Sequence, residues 1–220
     1  MILEVACFSK EASFLADISG ADRIEFCLDY AAGGLSPSVS DVEEICRIIQ
    51  KPVFVMIRPG KGNFLYSPDE TEQMLNTIYQ MKSAGADGFV FGILDSENEI
   101  NIKDSVKLID AASPLPCTFH RAFDQTPDLF RTLERVIDCG FKRILCSGGK
   151  GNAIDNIDIL GRLCQKASGR IIIMPGGGIR GADIDTLKTT GALEFHSSCI
   201  TQISDMPDPE EIKLIKENLD

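Results

Sequence analysis

The chain of 220 residues has no tryptophan, only two histidines and no cluster of lysine or arginine. Its formal net charge of −11 argues against nucleic acids and anionic membrane surfaces as partners, because both bind basic patches. No apolar run reaches the roughly 18–20 residues that a membrane-spanning helix needs. We therefore expect the partner to be a small molecule or a metal ion.

The N-terminus also lacks the features of a secretory signal. Residues 1–14 contain neither a basic segment nor a small-residue cleavage site, which predicts a cytoplasmic protein. The eight cysteines include no Cys-x-x-Cys pair, and disulfide frameworks are rare in the cytoplasm. We expect most cysteines to be small buried hydrophobic residues, with metal ligation as the alternative for some.

Short apolar runs rich in Val, Ile and Phe recur along the whole chain and alternate with segments of helical periodicity. One such segment, residues 69–86, places Met74, Ile78 and Met81 on one helical face. Glycines at the ends of several helical segments are typical of helix C-termini before a strand. The eight apolar runs are residues 2–7, 23–28, 52–58, 88–94, 116–122, 143–148, 171–176 and 193–198.

Eight strands that alternate with helices predict parallel pairing through right-handed crossovers. An open doubly wound sheet has the same alternation, but eight regular units without a change of pattern favour a closed TIM (β/α)8 barrel. No linker rich in Pro or Ser interrupts the pattern. We therefore predict an α/β fold with one TIM-barrel domain over residues 1–220, in which residues 209–220 form the eighth helix.

Polar and thiol side chains occur late in several of these strands. In a TIM barrel the active site is built at this end, from the C-termini of the strands and the loops after them. An unpaired polar group in a buried strand costs about 2 kcal/mol or more, so such groups need a reason to be there. We expect them to line one pocket; they are Glu25, Cys27, Arg58, His120, Ser147 and His196.

The second strand illustrates the alternatives. Its alternation puts Arg23, Glu25 and Cys27 on one face, which predicts a carboxylate and a thiol at the barrel mouth. A buried Arg23–Glu25 pair with Cys27 as filler is the alternative. Arg58, in the third strand, is predicted to clamp a carboxylate or phosphate; a salt bridge to Glu25 is the alternative.

Both histidines fall late in strands, where His120 and His196 can act as acid, base or metal ligand. His120 is the stronger candidate, and Asp124 is placed to orient it or its neighbour Arg121. His196 shares a strand face with Glu194. The alternative for each histidine is a structural hydrogen bond to a neighbouring carboxylate.

Two glycine-rich runs, residues 147–150 and 174–181, follow the sixth and seventh strands. Backbone N–H groups in such loops bind anions, and barrels often hold phosphate near the seventh strand. Tight turns that need glycine at positive φ are the alternative. The predicted anion-binding residues in these runs are Ser147, Gly148, Gly149, Gly176, Gly177 and Gly178.

Taken together, several motifs resemble the CutC copper homeostasis family. They include GADRIEFC (20–27), GGLSPS (33–38), PVFVMIRP (52–59), LPCTFHRAFD (115–124), IIIMPGGGI (171–179) and EFHSS (194–198), in the family's order over residues 2–198. The resemblance implies a cytoplasmic TIM barrel that handles copper, binds Cu(I) and forms homo-oligomers.

The resemblance also implies metal ligands. Cys27 matches the family's second-strand cysteine, whereas the first-strand cysteine is replaced by Ala6 and Cys7 follows one position later. A shift of one residue turns a side chain to the other face of the strand, so Cys7 can join Cys27 only if the strand bends. Soft thiolates are the ligands that Cu(I) selects, and Cys27 with Cys7 is the predicted pair.

Two main functions therefore follow from the sequence, beside the alternative of a barrel that serves only as a binding or scaffold protein. One is copper homeostasis by direct Cu(I) binding at Cys27 and Cys7. The other is an isomerase, lyase or hydrolase that acts on a small anionic molecule at the barrel mouth. Its predicted catalytic residues are Glu25, Arg58, His120 and His196.

Overall fold

The computed structural model describes residues 1–202 and 204–220 and contains eight parallel strands surrounded by helices. The strands are β1 (Ile2–Cys7), β2 (Arg23–Phe26), β3 (Val53–Met56), β4 (Gly88–Phe91), β5 (Cys117–Phe119), β6 (Arg143–Cys146), β7 (Ile172–Pro175) and β8 (Glu194–Ser197). The helices are α1 (Lys10–Ile18), α2 (Val39–Ile48), α3 (Pro68–Ser83), α4 (Ile102–Ala112), α5 (Leu129–Cys139), α6 (Ile157–Ala167), α7 (Ile184–Lys188) and α8 (Pro209–Leu219).

Each strand pairs with its sequence neighbours, and β1 also pairs with β8. A parallel bridge between Gly176 and His196 joins the ends of β7 and β8, so the sheet closes on itself. The predicted TIM barrel is confirmed. Several predicted strands are too long, however, because Arg58, His120 and Ser147 lie just after the strands to which we assigned them. All three positions remain on the C-terminal side of the barrel.

Outward-facing strand residues and inward-facing helix residues form one large hydrophobic layer. In α3 the predicted face is correct, since Met74, Ile78 and Met81 are buried. The helix begins with a capping box in which Ser67 and Glu70 bond to each other's backbone N–H groups. Such caps fix where each helix starts, and this sets the lengths of the loops at the barrel mouth.

The barrel floor carries a buried ionic network. The strand register places Glu4 beside Arg23, and the Arg23 Nε donates to Glu4 at 2.6 Å. Arg23 and Arg143 both donate to Glu194, at 2.5 and 2.6 Å. Both guanidinium groups lie over the Phe54 ring, 4.9 Å from its centre for Arg23 and 5.1 Å for Arg143. Charge therefore fills the centre of the barrel below the predicted site.

No helix in the described part of the chain is long and apolar enough to cross a membrane.

Candidate active site

A cavity of about 280 Å³ opens at the C-terminal ends of the strands. It contains all four residues predicted to be catalytic, Glu25, Arg58, His120 and His196, together with two further arginines, Arg121 and Arg180. Glu25 is the only carboxylate among the residues that line this cavity. Its walls therefore carry more positive than negative groups, which favours an anionic ligand.

Glu4, His196 and Glu25 form a buried chain of titratable groups. The strand register places Glu4 next to His196 across β1 and β8. The Nδ1 atom of His196 lies 2.7 Å from Glu4 Oε1, and its Nε2 atom lies 3.9 Å from Glu25 Oε2. The imidazole is thus held by one carboxylate below it and faces a second carboxyl group that borders the cavity.

The pKa values of Glu4 and Glu25 are shifted in opposite directions. Burial opposes ionisation of Glu4, but the Arg23 charge and the His196 hydrogen bond outweigh it and lower the pKa to about 2. Burial raises the pKa of Glu25 to about 7. Burial opposes protonation of His196, yet the nearby Glu25 and the hydrogen bond to Glu4 raise its pKa above 6.5. The imidazole of His196, with its raised pKa, therefore sits beside a carboxyl group that exchanges its proton near neutral pH.

The alternative structural pairing predicted for Glu25 does not occur. Arg23 bonds to Glu4 and Glu194 instead, and Glu25 Oε1 has no hydrogen-bond partner among residues 1–202 and 204–220. Only 3% of Glu25 is exposed. A buried carboxyl oxygen without a partner is costly in a structural role and is typical of a group that meets a ligand.

His120 lies directly after β5 and is 4% exposed. Its Nδ1 atom accepts a hydrogen bond from the Ala122 N–H at 3.2 Å. Burial and the nearby Arg58 charge lower the pKa of His120 to about 3, so the ring is neutral at physiological pH. The pKa values of the two histidines are thus shifted in opposite directions, a difference that their similar sequence positions do not indicate.

Arg58 is buried, with 7% exposed, and faces the cavity without a carboxylate partner among the described residues. Its guanidinium donates to backbone carbonyls at Ala32, Gly34 and Gly62, at 2.8, 3.0 and 3.4 Å. The Nε atom has no hydrogen-bond partner in the described part of the chain. The predicted alternative, a salt bridge to Glu25, is absent there, so the positive charge is available to a ligand.

Phe64 connects Arg58 with His120. The Arg58 guanidinium lies 4.9 Å from the centre of the Phe64 ring, and the His120 ring lies 4.6 Å from it. Phe64 has φ of 65°, a left-handed conformation that is strained for an aromatic residue. The loop between β3 and α3 therefore holds this ring over both cavity residues at a conformational cost.

Arg121 and Arg180 are cavity residues that sequence reasoning did not select. Arg121 points toward the cavity from the turn after β5, where its Nε donates to Asp124 at 2.9 Å and its Nη2 to Ser147 at 2.9 Å. Arg180 follows the glycines after β7 and donates to the Ile200 carbonyl at 2.7 Å. The alternation of side chains along a strand does not extend into loops, so it could not select these two arginines. Their positions in the loops after β5 and β7 were the available sequence signal.

The glycine-rich loop after β6 binds an internal anion. The Ser147 N–H donates to both Asp124 oxygens at 3.0 Å, and the Gly149 N–H donates to the same carboxylate at 3.1 Å. Gly148 and Gly149 have φ of 80° and 127°, so the turn also requires glycine. The N–H groups of Ser147 and Gly149, two of the predicted anion donors, are thus already used by Asp124, and residues 147–149 do not line the cavity.

The glycines after β7 have separate roles. Gly177 and Gly178 line the cavity, and the Arg121 guanidinium carbon lies 3.0 Å from where a Cβ on Gly177 would be. Gly176 does not line it; a Cβ there would overlap the Leu145 side chain. Gly177 therefore leaves room for Arg121 to approach the mouth, whereas Gly176 serves the packing of β7 against β6.

The two predicted copper ligands lie on different sides of the barrel wall. Cys7 belongs to the outer hydrophobic layer, and its thiol lies beside the Val5 carbonyl. Cys27 belongs to an interior cluster with Phe54 and Met56. The Cys27 thiol lies 3.4 Å from the Cys7 backbone carbonyl, while the two side chains belong to different packing layers, and burial raises the pKa of both thiols.

Glu4, Glu25 and His196 also offer three potential metal ligand atoms within 4.8 Å of one another. Both oxygens of Glu4 are already bonded, one to Arg23 at 2.6 Å and the other to His196 at 2.7 Å. A cation at this cluster would compete with Arg23 and His196 for the Glu4 oxygens. The cluster is better suited to holding and moving a proton.

Sequence and structure comparisons agree on the family. The model of the CutC family matches residues 1–201. A human protein named copper homeostasis protein cutC homolog is 42% identical over 198 residues, which are 90% of this chain and 72% of that protein. A family protein CutC from Xanthomonas campestris is 38% identical over 199 residues, 90% of this chain and 83% of the relative.

The solved structures extend the comparison. CutC from Streptococcus agalactiae is 31% identical, with a TM-score of 0.85 over 90% of this chain and 98% of that chain. A 3-hexulose-6-phosphate synthase matches all of both chains with a TM-score of 0.70, but at 17% identity it supports the fold alone. The matched family model and the identity to curated relatives establish that this chain belongs to the CutC family.

Proposed function

We propose that this protein acts in copper homeostasis, the role named for its human and mouse relatives, and that its molecular activity is acid–base catalysis on a small anionic compound. One observation carries the molecular proposal. Arg58 is a buried guanidinium without a carboxylate partner in the described residues, and it shares a cavity with Glu25, whose pKa burial raises to about 7. We place this activity in the cytoplasm.

The residues divide the work by their charge. Arg58, Arg121 and Arg180 make the cavity positive and attract the anionic ligand. Glu25 exchanges a proton with the ligand, because a carboxyl group that titrates near neutral pH can both take up and release one. His196, held by Glu4, stabilises the ionised form of Glu25 from the other side.

Sulfate binding tests the ligand class. We expect sulfate to bind the wild-type protein and the Arg58→Met variant to bind it about tenfold or more weakly, because hydrogen bonds to charged groups contribute about 1.5–3 kcal/mol. Isothermal titration calorimetry measures both affinities. Arg162→Met is the matched control, since Arg162 lies on the outer side of α6 over Phe130. Equal affinities for wild type and Arg58→Met would contradict the proposal.

Direct Cu(I) binding is the second candidate, and one observation favours it. A Cβ on Gly34 would lie 3.4 Å from the Cys27 sulfur and 3.5 Å from the Met56 methyl carbon, so the thiol and the thioether side chain are close neighbours. Thiolate and thioether are both soft ligands that suit Cu(I). In this candidate Cys27 and Met56, rather than Cys27 and Cys7, hold the ion. The formation of homo-oligomers by this protein stays a prediction.

An anaerobic Cu(I) titration against a competing chelator tests this candidate. If Cys27 and Met56 bind copper, Cys27→Ala abolishes one-to-one binding and Cys7→Ala leaves the affinity unchanged, because the Cys7 thiol lies in the outer layer. Loss of binding in both variants would favour the thiolate pair. Binding that neither variant weakens would exclude copper from these cysteines.

A further inference from the structure

His120 has a polar atom that the fold leaves without a partner. Its Nε2 atom is buried and has no hydrogen-bond partner among residues 1–202 and 204–220, although the residue borders the cavity. Because Nδ1 accepts a hydrogen bond from the Ala122 N–H, the proton of the neutral ring resides on Nε2. His120 therefore presents an N–H donor, and a donor at this depth calls for an acceptor that the protein does not supply.

The surroundings of His120 hold that donor in place. A Cβ on Gly92 would lie 2.7 Å from His120 Nδ1, so only glycine at this position lets the ring pack against the end of β4. Phe64 covers the other part of the ring, with centroids 4.6 Å apart. The nearby Arg58 charge and burial disfavour a second proton on the ring. The imidazole is thus fixed as a neutral donor rather than as an acid.

Glu25 and His120 approach the cavity from different parts of the barrel wall. Glu25 is on β2 and His120 follows β5, three strands further round the closed sheet. Both residues border the same cavity, and each has a buried polar atom without a hydrogen-bond partner in the described residues, so a ligand that bonds to both would meet a carboxylate and a neutral N–H donor. A base opposite a neutral donor is the arrangement that serves removal of a proton next to a carbonyl group.

We propose that the ligand is an anionic aldehyde or ketone, that Glu25 removes a hydrogen from the carbon beside its carbonyl group, and that His120 Nε2–H binds the oxygen on which negative charge develops. This inference rests on the proposed function and names its substrate class. In the step, the C–H bond breaks and its electrons form a C=C bond, while the carbonyl π electrons move onto oxygen. The proton passes to the Glu25 carboxylate and the negative charge stays on the oxygen that His120 binds, so this step needs no further reactant.

His120 contributes through its donor, not by proton transfer. A buried donor that is already oriented stabilises an oxyanion more than it stabilises a neutral carbonyl oxygen. The arrangement therefore favours a planar, enolate-like anion over a tetrahedral alcohol of the same size and charge. A site for hydrolysis would not be expected to prefer the planar anion in this way.

Two phosphate compounds test this preference. Phosphoglycolohydroxamate is a planar enolate mimic, and glycerol 3-phosphate has the same phosphate without the planar oxygen pair. We expect the wild-type protein to bind the hydroxamate about tenfold or more tightly than glycerol 3-phosphate, as calorimetry measures, because its planar oxygen pair places an acceptor where the enolate oxygen would lie. His120→Ala should reduce this preference to about threefold or less, because it weakens binding of the hydroxamate far more than binding of glycerol 3-phosphate, while His120→Gln, which keeps an N–H donor, should retain part of the preference.

The outcomes separate the inference from the proposed function. Equal affinity of the wild-type protein for the two probes, or a preference that survives His120→Ala, would overturn the inference. Binding of sulfate but of neither probe would overturn it too and leave the proposed function standing, whereas failure of sulfate to bind would remove both. Nitrogen-15 NMR of the free protein checks the donor independently, since a proton on Nδ1 instead of Nε2 of His120 would also overturn it.

Discussion

Replacement of Glu25 by Gln is expected to stabilise the protein by about 3 kcal/mol at pH 8, because one pKa unit corresponds to about 1.4 kcal/mol. Burial raises the pKa of Glu25 from 4.5 to about 7, so at pH 8 the folded protein must keep an ionised carboxylate in a poorly solvated place. Gln has the same shape and carries no charge. The same substitution should abolish the proposed proton transfer, since Gln cannot accept the proton.

The direction of the pH dependence follows from the raised pKa. The folded state binds the Glu25 proton more tightly than the unfolded state does, so the wild type loses stability as pH rises from about 4.5 through 7. The gain from Glu25→Gln should therefore be small near pH 5 and complete by pH 8. The charged groups that act on Glu25 are Glu4, Arg23 and His196, and none of them is altered by the substitution.

Urea unfolding of both proteins across this pH range measures the effect. Glu217→Gln is the control, because Glu217 is exposed on α8, and it should leave the pH dependence of stability unchanged. A variant Glu25→Gln that is less stable than wild type at pH 8 would show that the carboxylate is a structural partner. The expected result, a more stable Glu25→Gln variant, would mean that Glu25 serves a ligand rather than the stability of the fold.

Replacement of Arg23 by Met should have the largest destabilising effect, about 3–5 kcal/mol. The substitution leaves Glu4 and Glu194 buried while removing the guanidinium that both of them share. Urea unfolding at pH 7 measures the loss. The control is Arg170→Met, which breaks an exposed pair with Glu134 and should cost about 0–1 kcal/mol.

A second substitution distinguishes charge from packing at the barrel floor. If the loss comes from unpaired charge, the double variant Arg23→Met with Glu4→Gln should recover part of the stability. In it, one of the two buried carboxylates that lost Arg23 is replaced by a neutral side chain. A double variant that is as unstable as the sum of the single variants would show that Arg23 acts through packing, for example against Phe54.

The barrel and the position of its site could be predicted from the sequence. Apolar runs of similar length recur eight times, and the end of a parallel barrel at which loops follow strands is fixed by topology. Glu25, Arg58, His120 and His196 were accordingly placed at one mouth, where the structure brings them into one cavity. Strand alternation sufficed for Glu25 and His196, which lie within β2 and β8.

The partners of these residues could not be predicted, because they depend on register and loop paths. Glu4 reaches His196 only through the pairing of β1 with β8, which closes the barrel between the first and last strands. Asp124 occupies the donors of the loop after β6, a contact between two loops that no strand pattern describes. The pKa values of His120 and His196 are shifted in opposite directions because of such neighbours, so the shifts follow from the fold and not from local sequence.

The pH dependence of sulfate binding tests the central claim, that a titrating Glu25 and a positive cavity act on an anionic ligand. Sulfate keeps its charge between pH 5.5 and 8.5, whereas Glu25 becomes ionised near pH 7 and then repels it. Calorimetry should show wild-type affinity falling about threefold or more over this range, with a midpoint near the pKa of Glu25, and Glu25→Gln losing most of that dependence. A wild-type affinity that does not change with pH, or one that changes equally in Glu25→Gln, would contradict the account.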